Sequence, residues 1–212
     1  MVYQVYECGQ PGCRFRFPVE VPTPPAGFTC PRCGAATQPG SEPYTGYDVA
    51  GPAPAGASHP PVAALLDNIR SIFNVGAIFR IADGVGLCQL HLCGITATPD
   101  HPKVVKTALG AEQSVPWQYH PNALDAAQAL RAAGYQLWAI EGHPRAEPLS
   151  AVRAAPTTPI ALVAGNEKAG VDPALLSQCD RVLHIPMQGR KRSLNVAVAF
   201  GIAAYWIAMR RP

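Results

Sequence analysis

From Val62 onward, apolar runs of strand length alternate with segments of helical periodicity, and that alternation leaves few architectures open. The strand candidates are Val62 to Leu66, Leu90 to Cys93, Gln136 to Ile140, Ile160 to Ala164 and Arg181 to Ile185. Between and after them, Val75 to Gly84, Ala123 to Ala133, Pro173 to Gln178 and Leu194 to Arg210 carry a helical pattern, the last with Val196, Phe200, Ala203 and Ile207 on one stripe. Strands separated by helices predict an α/β domain with a mostly parallel sheet over 62–212. The apolar stretch from Val196 to Met209 is shorter than the roughly 20 residues that span a bilayer, so it reads as a core or interface helix.

Upstream, Gln38 to Pro61 is rich in Pro, Gly, Ala and Ser, which cannot build a core and predicts a linker. Residues 1–37 then form a small separate module with short apolar runs around Val2 to Tyr6 and Phe15 to Val21. Four of the seven cysteines fall in its first 33 residues: Cys8 and Cys13, and Cys30 and Cys33 in CPRCG. Two such knuckles present four thiolates to one tetrahedral Zn²⁺, and a closed set of four leaves no open position for chemistry. A structural zinc ribbon is the expectation, beside a metal-free loop or a redox pair at Cys30 and Cys33. Cys88, Cys93 and Cys179 read as buried small apolar residues.

Charge bears on the partner. Residues 1–60 hold three Lys or Arg against four Asp or Glu, and the rest of the chain holds fourteen against ten, so the basic excess belongs to the larger domain. A four-thiolate zinc centre adds about two negative charges to the module. Any nucleic-acid contact there falls on a few residues, namely Arg14 and Arg16, which alternate with Phe15 and Phe17; the two aromatics read equally as the module's small core. No secretory signal pattern opens the chain, and the cytoplasm is the expected compartment.

Three stretches of the larger domain carry polar groups that a core would not tolerate: NIRSIFNVGAIFRIAD from Asn68, GNEKAG from Gly165 and IPMQGRKRSLNV from Ile185. Asn74 is placed to cap a helix, with Arg80 about one and two-thirds turns later. Taken singly, Ser193 also reads as a cap and Glu167 as half of a surface ion pair. Neither the dinucleotide-binding glycine fingerprint nor a phosphate-binding Gly-Lys-Ser/Thr loop is present.

In this order the three stretches resemble the motifs of the SPOUT superfamily, specifically the SpoU-type (TrmH-like) RNA ribose 2′-O-methyltransferases. KTALGAE, from Lys106 to Glu112, has the same family look. The resemblance covers about residues 62–211. It implies a parallel sheet with a C-terminal trefoil knot, S-adenosylmethionine held by the knot loops, an RNA substrate (tRNA or rRNA), and a homodimer with active sites at its interface. Carried over, Asn74, Arg80, Glu167, Ser193 and Asn195 match catalytic and site-shaping positions, and Gly165, Ile185, Met187, Gly189 and Leu194 match the cofactor loops. Arg190, Lys191 and Arg192 form a basic run suited to RNA phosphates, with Lys103 and Lys106 a weaker second group. A non-catalytic knotted RNA-binding protein and an enzyme methylating a base nitrogen are the alternative readings.

Overall fold

The structure is a computed structural model that describes residues 2–21, 27–45, 60–154 and 156–210. It divides into two compact units, Met1–Ala55 and Gly56–Pro212.

In the smaller unit β1 (Val2–Cys8) is the central strand, pairing antiparallel with β2 (Arg16–Val21), β3 (Thr37–Pro39) and β4 (Tyr44–Thr45). β4 and all but the first residue of β3 fall within the sequence that composition assigns to the linker, so the module runs on at least to Thr45. Such short segments join the sheet here because each needs only two or three rungs with β1. Residues 46–59 of the expected linker lie outside the described residues.

The larger unit contains β5 (Val62–Asp67), α1 (Ile72–Val85), β6 (Gln89–Cys93), α2 (Pro102–Ala108), α3 (Ala111–Ser114), β7 (Trp117–His120), α4 (Ala123–Ala132), β8 (Gln136–Ile140), β9 (Glu147–Pro148), β10 (Ile160–Ala164), α5 (Pro173–Ser177), β11 (Arg181–His184) and α6 (Val196–Ala208). Its sheet runs β7-β6-β5-β10-β8-β11-β9, and every pairing is parallel. β8 lies between β10 and β11, so the C-terminal strands interleave out of chain order.

Both faces of the sheet are covered. In β5 and β10, Ala64, Leu66, Ile160 and Leu162 meet α1 and α6 on one side, while Ala63, Leu65, Ala161 and Val163 meet α4 and α5 on the other. Burial on two sides is why these strands read as continuous apolar runs. Phe79 of α1 and Phe200 of α6 are fully buried in the first layer, each contributing roughly 1.5–3 kcal/mol by leaving water.

All five expected strands and four expected helices are present. β7, β9, α2 and α3 are not among the elements that the sequence pattern predicts. β7 is half exposed at the sheet edge and β9 has two residues, so neither carries an apolar run. Cys93 and Cys179 are buried as expected, and burial pushes both thiols up to about 12. Cys88 is instead exposed, because it precedes β6 at the strands' entry edge.

Candidate active site at the carboxyl ends of the strands

The loops that follow β5, β8, β10 and β11 meet at one edge of the sheet, where ligands of parallel α/β domains bind. The loop after β5 enters α1 through Ser71, whose hydroxyl accepts from the Asn74 amide nitrogen at 3.4 Å. Ser71 is therefore the helix cap, and Asn74, expected in that role, sits in the first turn with its side chain free for other work. Gly76, two residues on, lets α2 approach, since a Cβ there would come 1.9 Å from the Thr107 hydroxyl.

The Asn74 side chain is largely buried and joins the three polar stretches. Its Nδ2 donates to Glu167 Oε1 at 2.8 Å, and its Oδ1 accepts from Asn195 Nδ2 at 3.0 Å. Glu167 also accepts from the backbone amides of Arg70 and Ser71, each at 2.9 Å. Burial pushes the Glu167 carboxyl up, but these donors outweigh it and hold the group below the usual carboxylate range. Glu167 is thus an ionised anchor for the Arg70–Ser71 turn and a weak base. Asn195, not Ser193, caps α6, its Oδ1 accepting from Ala197 N and Val198 N.

The loop after β10 is pinned on itself. Asn166 and Gly170 exchange backbone hydrogen bonds, and Asn166 Oδ1 accepts from Lys168 N and Ala169 N. Asn166 Nδ2 reaches back to the Asn68 carbonyl at 2.8 Å. Gly165 is required by this turn, because a Cβ there would lie 2.3 Å from Val171 N. Beneath it, Asp67 accepts from Asp172 N and Asn68 Nδ2, and burial holds its carboxyl above the usual range despite those donors.

These loops enclose a cleft of about 830 Å³ whose lining includes Glu141, Glu167, Ile185, Met187, Gly189, Ser193, Leu194 and Asn195. That volume suits a ligand of nucleoside size. Four of the five residues expected to hold a cofactor therefore line one cavity, while Gly165 shapes the turn beside it. Lys191 and Arg192 also line the cleft, and Arg190 is exposed next to them. Lys103 and Lys106 are exposed on or beside the separate short helix α2. Arg80 is not brought in. It is exposed on α1 and lies about 120° around the helix from Asn74, since six residues make one and two-thirds turns. Asn68, Ser71, Glu141 and Asn166 were missed by sequence reasoning, and their signal was the density of Asn, Ser and Glu at strand ends.

In the smaller unit the four expected thiols converge, with Sγ atoms of Cys8, Cys13, Cys30 and Cys33 all within 4.8 Å of one another. The Cys8–Cys33 and Cys13–Cys30 separations are 3.5 and 3.8 Å. Tetrahedral Zn–S bonds of about 2.3 Å require sulfurs about 3.8 Å apart, so the set fits zinc. Amides of Gln10 and Arg32 face Cys8 and Cys30 at 3.4 Å. Burial raises the Cys30 thiol, yet the Arg32 and Cys33 amides outweigh it and bring it down to about 7.

The strand register separates the RFRF residues. Glu7 pairs with Arg16 and Tyr6 with Phe17, which puts Arg16 and Phe17 on opposite faces. Arg14 and Arg16 both contact Glu7, at 3.3 and 2.9 Å, and Phe15 stacks against Phe17 with ring centroids 6.0 Å apart.

Residues 61–205 match the SpoU rRNA Methylase family. The tRNA (guanosine(18)-2′-O)-methyltransferase of Thermus thermophilus is 31% identical over 146 residues, covering 69% of this chain and 73% of that protein. The 23S rRNA (guanosine(2553)-2′-O)-methyltransferase of Bacillus subtilis is 34% identical, covering 66% of this chain and 55% of that one. Among solved structures, the AdoMet-bound rRNA methyltransferase of Sinorhizobium meliloti superposes with a TM-score of 0.67 at 29% identity, over 72% of this chain and 57% of its own. The four-cysteine module lies before the matched residues.

Proposed function

Because the chain belongs to the SpoU rRNA methylase family, we propose that it transfers a methyl group from S-adenosylmethionine to a ribose 2′-hydroxyl of tRNA or rRNA. The observation that carries this reading is the Glu167–Asn74–Asn195 chain of hydrogen bonds, which gathers all three polar stretches beside the cleft.

The cleft fits the cofactor by size and by lining: Ile185, Met187 and Leu194 offer apolar surface, and Gly189 permits close backbone approach. Gly165 sets the course of the neighbouring loop. S-adenosylmethionine supplies an activated methyl group. A ribose hydroxyl is a weak nucleophile, so the protein must align it with that methyl and stabilise the alkoxide that develops. Arg80, whose planar guanidinium suits contacts to oxyanions, is the group we assign to the alkoxide and the adjacent phosphate. Asn74 and Asn195 position the site, Ser193 at the cleft wall contacts substrate, and Glu167 holds the Arg70–Ser71 turn.

Arg80 lies outside its own chain's cleft, which supports a homodimer in which each cleft is completed by the other copy. α6 supports the same assembly. Its buried stripe holds Phe200, Ala203 and Ile207, and the opposite stripe leaves Val198, Ile202, Tyr205 and Met209 at 41–75% exposure. Apolar residues at that spacing on a second face suit a helix packed against another molecule.

Arg190, Lys191 and Arg192 at the cleft mouth are the proposed phosphate contacts. In the smaller unit, zinc on Cys8, Cys13, Cys30 and Cys33 would set the fold. Arg14 and Arg16 remain the RNA contacts there, since exposed ion pairs such as theirs with Glu7 are worth only about 0–1 kcal/mol and yield to phosphate. Among the described residues no helix is long and apolar enough to cross a membrane.

The test is transfer of labelled methyl from S-adenosylmethionine to RNA taken from a strain lacking the protein, followed by nucleoside analysis. A labelled 2′-O-methylnucleoside is expected. Label in a methylated base would replace the ribose assignment, and binding without transfer would make the protein a non-catalytic RNA binder.

A further inference from the structure

We infer that Glu141 is the acceptor for the vicinal hydroxyls of the cofactor ribose, an inference that rests on the cofactor reading above. Glu141 follows the last residue of β8 and lines the cleft. Its Oε1 accepts from Gly142 N at 2.8 Å and its Oε2 from Val171 N at 3.0 Å. An ionised carboxylate accepts about four hydrogen bonds, so about two remain for a ligand. The group is also held in place. Gly170 adopts φ +77°, and a Cβ there would come within 2.6 Å of Glu141 Oε2, so the carboxylate rests against bare backbone.

Elimination points the same way. A vicinal diol is best met by the paired oxygens of a carboxylate, and of the two carboxylates lining the cleft Glu141 is the less engaged; Ser193 and His184 also line it but offer single acceptor atoms. Glu167 takes the Arg70 and Ser71 amides and the Asn74 side chain. Asn166 Oδ1 accepts two amides, Asn195 Oδ1 accepts two more, and His143 Nδ1 accepts from Arg145 N. The cations Lys168, Lys191 and Arg192 cannot accept at all. An acidic side chain on a ribose hydroxyl near a strand's carboxyl end is a solution that other nucleotide-binding α/β folds use.

Glu141 also ties β8 to the loop after β10, so the test must separate ligand contact from loop support. Binding of S-adenosylmethionine, S-adenosylhomocysteine and the 2′-deoxy and 3′-deoxy forms of S-adenosylhomocysteine is measured by calorimetry on the full chain. The proteins are wild type, Glu141→Gln and Glu141→Ala. Glu141→Gln keeps one carbonyl oxygen for Val171 N. In wild type each deoxy ligand should bind about tenfold more weakly than S-adenosylhomocysteine, the size of a charge-assisted hydrogen bond. In Glu141→Ala both parent ligands should weaken alike by about tenfold or more, and the deoxy penalty should shrink to less than about twofold. Glu141→Gln should fall between.

An unchanged deoxy penalty in both variants would overturn the inference and leave Glu141 a loop support. Weakening confined to the positively charged S-adenosylmethionine would overturn it in favour of attraction to the sulfonium. If wild type bound none of the four ligands, the cofactor reading itself would fall, which is a different result from either.

Discussion

The Asn195 side-chain amide donates to the Asn74 carbonyl oxygen at 3.0 Å across a sequence separation of 121 residues. Through Asn74 the start of α6 is joined to Glu167 and so to the loop after β10. One small side chain therefore sets the mutual position of three loops that are remote in sequence.

Asn74→Ala should lower methyl transfer at least tenfold, while Tm falls by only a few degrees. The substitution leaves the Asn195 amide and a Glu167 lone pair without their partner, costing roughly 1–3 kcal/mol. Asn195→Ala removes the other end of the bond and the α6 cap together. In a double-mutant cycle on transfer rate the two losses should be clearly less than additive, and strict additivity would show that the bond does not matter to the reaction.

Arg80→Ala should abolish transfer and leave both the dimer and S-adenosylmethionine affinity intact, because Arg80 is exposed and outside its own chain's cleft. Ile202→Glu, on the exposed stripe of α6, should give monomers in light scattering. Each such monomer should still bind cofactor but transfer no methyl. Near-normal turnover by Arg80→Ala would remove that residue from the mechanism, and a dimeric Ile202→Glu would move the interface elsewhere.

Among the described residues of the smaller unit, the buried apolar side chains are Cys8 and Cys30, so the thiol cluster is its core. One zinc per chain should be found by elemental analysis. Its removal by a chelator, or Cys30→Ser, should abolish protection of amides in 2–45 from hydrogen exchange. Amides in 60–210 should keep theirs. Protection of 2–45 that survives chelation would mean the module folds without metal.

His91 predicts the acid behaviour of the larger unit. It is 7% exposed; its Nδ1 lies 3.0 Å from His120 Nε2, and its Nε2 has no hydrogen-bond partner. Burial, with the neighbouring His120 charge, lowers it from 6.5 to about 4; Asp125 faces His120 and acts in the opposite sense there. The unfolded chain therefore binds the extra proton first as pH falls. Stability is complete above pH 6.5 and declines down to about pH 4, by up to about 3 kcal/mol. Trp117, Trp138 and Trp206 all lie in this unit, so tryptophan fluorescence in urea follows it alone. His91→Gln should flatten the decline, and an unaltered slope would assign it to other groups.

Much of the fold was legible in sequence because β5, β8 and β10 are buried on both faces, and a doubly buried strand must be apolar throughout. The four cysteines were legible for a related reason, since few other arrangements use thiols at that spacing. The edge elements β7 and β9 carried no such signal, because half-exposed edge strands satisfy neither period strongly. The polar stretches could be found by composition, and their grouping came from resemblance.

Sequence by itself determined the alternation of strands and helices, the thiol set, and which side chains could do chemistry, because these depend on local pattern and residue type. Tertiary structure decided which of those side chains meet. It made Ser71 the cap and freed Asn74 to bridge Glu167 and Asn195, it brought Glu141 against Gly170, and it left Arg80 on another face of α1. The physical reason is that hydrogen bonds act over about 3 Å, whereas the partners are separated by up to 121 residues of chain. Only the order of strands in the sheet brings such partners within that reach.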